Sequence, residues 1–101
     1  MIKCTSFRQM EKNTLRGFAD LELTRIGLVI KDCTWHLKDG KEWIGLPARS
    51  YDDAEGVRRW SPIVEFTPEA KAERAAFQRA ALGAVHEAVS TSAQAPVGGN
   101  R

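Results

Sequence analysis

The run Cys33-Thr34-Trp35-His36-Leu37-Lys38-Asp39-Gly40-Lys41-Glu42-Trp43-Ile44-Gly45-Leu46 decides the fold. Asp39-Gly40 sits between two β-like segments. Two residues of this type in that place predict a type I′ hairpin, whose two central positions both need positive φ. A two-residue loop sets the register: Lys38 opposite Lys41, Leu37 opposite Glu42, His36 opposite Trp43, Trp35 opposite Ile44, Cys33 opposite Leu46. Successive side chains of a strand point to opposite faces. One face of the hairpin therefore holds Cys33, Trp35, Leu37, Ile44 and Leu46 and predicts core. The other holds His36, Lys38, Lys41 and Trp43, an aromatic set among basic groups.

Upstream, Leu15 to Leu23 alternates, with Leu15, Gly17, Ala19, Leu21 and Leu23 on one face and Arg16, Phe18, Asp20 and Glu22 on the other. This is the pattern of a half-buried strand. Met1 to Met10 is a strand before it, joined by the polar turn Glu11–Thr14. Ile26 to Lys38 reads as one long strand burying Leu28 and Ile30 in its first half and Cys33, Trp35 and Leu37 in its second. The apolar phase flips near Lys31-Asp32, which predicts a bulge, because one extra residue exchanges the faces.

Downstream, Pro47 ends the hairpin strand, since it cannot donate to a ladder. Ala48 to Arg59 reads as a long polar loop and Trp60 to Phe66 as a last strand, placed at an edge by Pro62. Thr67-Pro68-Glu69 predicts a helix start, with Thr as N-cap, Pro at the first position and an acid in the first turn. The helix Thr67–Val89 presents Ala70, Phe77, Ala80, Ala81, Ala84, Val85 and Ala88 on one face. Lys71, Gln78, Arg79 and His86 lie on the other, and Leu82 also points outward. Ser90 to Arg101 lacks periodicity and predicts a disordered tail. The expected fold class is thus α+β: a small curved antiparallel β-sheet of four to five strands followed by one C-terminal α-helix packed on the sheet. Residues 1–89 form a single domain. An outward Leu82 and an edge strand at Trp60–Phe66 predict a homodimer.

The bulk numbers agree with one small globular unit: 101 residues, 43% hydrophobic. Fifteen Lys and Arg against 13 Asp and Glu leave a net charge of only +2, so polyanion binding needs cations sorted onto one face. No apolar run reaches the roughly 18–20 residues of a membrane span, and no apolar h-region follows Met1. The expectation is a cytoplasmic protein in which Cys4 and Cys33 stay reduced. His36, His86, Cys4 and Cys33 lack metal-ligand spacing. Cys33 reads as a buried packing thiol, and Asp52-Asp53-Ala54-Glu55 as a solvated turn. Gly98-Gly99, in the tail, makes no phosphate loop. No metal, no cofactor and no enzymatic activity are expected.

What stands out chemically is the basic and aromatic set: Arg16, His36, Lys38, Lys41, Trp43, Arg49, Arg58 and Arg59. Aromatic rings stack bases and cations hold phosphates, so this set predicts a nucleic-acid surface. The Leu15–Phe66 stretch also resembles the stage V sporulation protein G family. The resemblance rests on Ile30-Lys31-Asp32, the Asp39-Gly40 hairpin, Gly45-Leu46-Pro47-Ala48-Arg49, and Trp60-Ser61-Pro62-Ile63 followed by a helix. Gly45 to Arg49 plays the part of that family's A-M-P-S-K strand end, and Ser61-Pro62-Ile63 that of its H-P-I strand. Leu46 for Met and Trp43 for a smaller aromatic depart from the pattern. The resemblance implies a small antiparallel sheet with a C-terminal helix, a homodimer, and DNA or RNA binding in transcription regulation. It implies helix contacts from Lys71, Arg74 and Arg79, with Arg49 as the motif's cation. A weaker, fold-level similarity is to the Whirly and transcriptional-coactivator single-stranded DNA binders. The alternative function is a protein-interaction adaptor or inhibitor working through a sheet edge or dimer surface.

Overall fold

The structure is a computed structural model and describes residues 1–94. Six strands precede one helix: β1 Ile2–Lys12, β2 Leu15–Leu23, β3 Leu28–Lys38, β4 Lys41–Gly45, β5 Ala48–Asp52, β6 Arg58–Pro62 and α1 Lys71–Gln94. β1 to β4 form an antiparallel meander in chain order, and β5 and β6 form a separate two-stranded sheet. The fold is α+β, with the helix lying on one face of the meander against β1, β4 and β2.

The β3–β4 hairpin has the predicted register from Lys38↔Lys41 to Trp35↔Ile44. Asp39 and Gly40 both have positive φ, 54° and 79°, as a type I′ turn requires. The pairing ends at Thr34↔Gly45, so Cys33 does not reach Leu46 across the ladder. The bulge is also where the phase flip put it. Ala19 pairs with Cys33 and Leu21 with Ile30, leaving Lys31 and Asp32 opposite Asp20 alone. Asp32 takes φ 61°, and its N–H donates to the Asp20 carboxylate at 3.0 Å. The strained residue is thereby held by a local hydrogen bond.

The core is a layer of Ala19, Leu21, Cys33 and Ile44 from the sheet and Phe77, Ala81 and Val85 from the helix. The small alanines let the helix approach closely. Phe7 lies over Gly17, where an added Cβ would sit 2.6 Å from the Phe7 ring, so a side chain at 17 would evict it. Leu28, expected in the core, is 50% exposed as the first residue of β3 after the turn at Thr24–Gly27.

Four further expectations are corrected. The polar stretch after Pro47 is not a loop but β5, and it pairs with β6 as a hairpin, Ala48↔Pro62 to Asp52↔Arg58. The last strand ends at Pro62 and does not join the main sheet. The helix begins at Lys71, not Thr67. Thr67 to Ala70 forms a turn closed by Ala70 N–H to Thr67 O, 3.0 Å, which brings Phe66 onto Phe77 with ring centroids 5.5 Å apart. Its C-terminal end runs on through Ser90–Gln94, read as tail, because each residue added to a formed helix gains a hydrogen bond and no Gly or Pro interrupts there. The rest of the predicted tail, 95–101, lies outside the described residues.

Two side chains read as outward are working parts of the fold. Leu82 is half-buried against the core. Gln78 reaches the free edge of β4, where its amide accepts from Ile44 N–H and donates to Ile44 C=O, each at 2.9 Å. It satisfies both edge groups as a neighbouring strand would. Gln78→Ala should therefore lower the unfolding free energy by about 1–3 kcal/mol, since it strands a part-buried donor and acceptor. Urea denaturation measures this; a loss of only a few tenths would mean that water replaces the amide without cost.

Candidate nucleic-acid interface

Among the described residues, no element covers the sheet face opposite the helix, and the strand registers build a row across it. Lys12 pairs with Leu15, Leu15 with His36, and His36 with Trp43; a register shift between Leu15 and Gly17 turns Leu15 off the face it was expected to share with Ala19 and Leu21. One step along the hairpin, on the same face, stand Lys38 and Lys41, directly opposite each other. The structure thus brings together three of the expected residues, Lys38, Lys41 and Trp43, and adds Lys12.

His36 and Trp43 are stacked, with ring planes 6° apart and centroids at 5.1 Å. The imidazole is held at both nitrogens: Nδ1 lies 2.9 Å from Thr14 Oγ1 and Nε2 2.9 Å from Thr34 Oγ1. A neutral imidazole has one N–H and one bare nitrogen, so it donates to one hydroxyl and accepts from the other. Partial burial lowers the His36 pKa below its ordinary value of 6.5, which favours that neutral form. Gly45 completes the floor. A Cβ there would lie 2.5 Å from Thr34 Oγ1, so glycine keeps this hydroxyl free to bond His36.

Beside this row, the Arg8 guanidinium covers the Phe18 ring at 5.5 Å and pairs with Asp32 at 3.0 Å. Phe18 is therefore not a free stacking surface. Arg16 is turned back onto the Asn13 and Leu15 carbonyls at 3.0 and 3.1 Å.

The other expected cations lie elsewhere. Arg58 pairs with Asp52 at 3.3 Å and Arg59 with Asp53 at 2.8 Å. Asp53 also accepts from the Glu55 and Val57 backbone N–H groups, both at 2.9 Å. The Arg59 guanidinium and these donors hold its carboxyl below the usual carboxylate range. Across the β5–β6 arm, Arg49, Arg58 and Arg59 are balanced by Asp52, Asp53 and Glu55, so the arm carries no net charge. Arg49 is exposed and stands on the arm face that also carries Tyr51. Lys71, Arg74 and Arg79 are exposed on α1, which covers the other side of the main sheet. The nine expected residues therefore occupy three surfaces, not one.

Behind the hairpin, on the helix side, Glu42 accepts from Trp35 Nε1 at 3.0 Å and lies 2.8 Å from His86 Nε2. His86 sits edge-on to Trp35 at 5.9 Å. Sequence reading missed this link, along with Thr14, Thr34 and Lys12. The i, i+2 spacing of Thr34 and His36 was a visible sign that they share a face. Nothing local announces Thr14 or Lys12. Cys33 is fully buried, and burial, with Asp20 and Asp32 nearby, pushes its thiol up to about 12, so it is a packing residue. Both cysteines are free. Among the described residues, no helix is long and apolar enough to cross a membrane.

No family model, curated protein or solved structure matches the chain. The resemblance to the stage V sporulation protein G family rests on the quoted motifs alone.

The His36 geometry makes a pH prediction. Its folded pKa is depressed, so the unfolded chain binds the proton more readily. Stability from this group is full above the ordinary value and is lost as pH falls through 6.5 towards the folded value. The difference in unfolding free energy between the native chain and His36→Gln should shrink across that window. Denaturant titrations at several pH values, with an NMR titration of the imidazole, measure it. A His36 pKa at or above 6.5 would refute the neutral, doubly bonded ring.

Proposed function

We propose that the protein is a nucleic-acid-binding regulator that acts as a homodimer and uses the open face of its four-stranded sheet. The observation that carries this reading is the grouping of Trp43, Lys38, Lys41 and Lys12 on the face opposite the helix. A net charge of +2 does not attract polyanions over the whole surface, so a local cluster is what the reading needs. Lysines there would neutralise phosphates and release counterions, making binding weaken steeply with salt. The arginine pair Arg58 and Arg59 supports binding least, because each is engaged by an acid of its own arm.

A second reading, a protein-interaction module, is favoured by the β5–β6 arm. Its extensive contacts are with itself alone. A lone two-stranded hairpin is marginal in water, so a covering surface would stabilise it. Trp60 is 66% exposed on it, and Tyr51, Val57, Ile63 and Val64 are exposed as well. With its charges cancelled and its apolar groups outward, the arm suits a protein surface better than a phosphate backbone. A second copy of the chain as that surface joins both readings into one dimer.

Two measurements test these statements. Lys38→Glu with Lys41→Glu should weaken anisotropy-detected binding to labelled nucleic acid by roughly tenfold or more at low salt and flatten its salt dependence. Equal loss from the Arg49 site with none from this pair would move the interface to the arm. Trp60→Ser should convert the dimer to monomer in light scattering; a native chain that is monomeric at high concentration would overturn the dimer.

A further inference from the structure

We infer that Trp43 is a stacking platform for one unpaired base, so that the ligand is single-stranded nucleic acid. This rests on the nucleic-acid reading above and specifies its ligand. Four observations carry it. First, Trp43 stands on β4, the last strand of the sheet, with His36 parallel to it on the inner side. The ring face away from His36 looks past the sheet edge, and Trp43 is 38% exposed. Second, the platform is rigid. The imidazole beneath the indole is fixed at both nitrogens by Thr14 and Thr34, so little side-chain freedom is lost on binding.

Third, the flanking charge suits a strand. Lys38 and Lys41 stand two residues from His36 and Trp43 on the same face, about 7 Å along the hairpin, within reach of a phosphate next to a stacked base. Lys12 continues the row on the far side of Leu15. Fourth, the other aromatic of this face, Phe18, is already covered by Arg8. The face therefore offers one stacking position rather than a series. A duplex keeps both faces of its bases covered by neighbours, so a lone indole at a sheet edge engages only a base that is out of a stack.

The test uses the full chain. Labelled single strands of DNA and RNA, the corresponding duplexes and AMP are titrated at low salt, and a strand carrying 2-aminopurine reports stacking. The single strand should bind at least roughly tenfold more tightly than the duplex, with aminopurine fluorescence quenched. Trp43→Ala should cost the strand roughly tenfold and abolish the quenching, while Trp43→Phe keeps most of both. If Trp43→Ala fails to fold, Trp43→Thr, which favours a strand but has no ring, replaces it and should likewise lose the quenching.

Duplex binding as tight as strand binding, abolished by the Lys38 and Lys41 reversals but unmoved by Trp43→Ala, would overturn the stacking site and leave the nucleic-acid function standing. AMP binding as tightly as the strand would assign the platform to a free nucleotide and overturn the polymer ligand. No binding of any probe would overturn both this inference and the function it rests on.

Discussion

The arrangement depends on one irregularity, the bulge at Lys31-Asp32 opposite Asp20. A one-residue change of register moves every later side chain of a strand to the other face. Without the extra residue, Cys33 and Trp35 would point to solvent and His36 and Thr34 into the helix. With it, Ile30 and Cys33 serve the same core. The cost is a non-glycine residue at φ 61°, and the Asp20 carboxylate offsets it by taking the Asp32 N–H. The Asp32 carboxylate is then free to hold Arg8 over Phe18. The two faces of β3, one apolar and one polar, exist because of that turn of the backbone.

The hairpin beyond the bulge is fastened to the helix by polar contacts as well as apolar ones. Gln78 pairs with the Ile44 peptide groups, and Glu42 joins Trp35 to His86. Both contacts lie on the helix side or at the edge of β4. They leave the opposite face of the same two strands uncovered, with Trp43, Lys38 and Lys41 on it. An edge strand closed by a side-chain amide cannot be extended there by another chain without displacing Gln78.

The arm divides the chemistry further. Its arginines are matched by its own acids, while its aromatic and aliphatic groups stay outside. Exposed ion pairs are worth little each, about 0–1 kcal/mol, so they act here mainly by cancelling charge. Under the proposed function, the main sheet and the arm would take different partners, a polyanion for one and a protein surface for the other.

The sequence by itself determined several features governed by local geometry. Asp39-Gly40 set the hairpin and its register, the phase flip located the bulge, and the alanine stripe chose the helix face that packs, with Phe77, Ala81, Ala84 and Val85 buried. It likewise placed Lys38, Lys41 and Trp43 on one face, because alternation and a two-residue turn need no long-range information. Only the tertiary structure decided the rest. Polar Arg49, Ser50 and Asp52 give no inside-outside pattern, so β5 became visible only through its pairing with β6. Gln78 and His86 look solvated on a helical wheel, yet the sheet edge lies under them. The expected single basic surface split in three because which cations share a side depends on how strands and helix stack, and on whether an acid such as Asp52 or Asp53 reaches them first. Lys12 entered the candidate site for the same reason: a register shift between β1 and β2, invisible in the chain, carries it into line with His36 and Trp43.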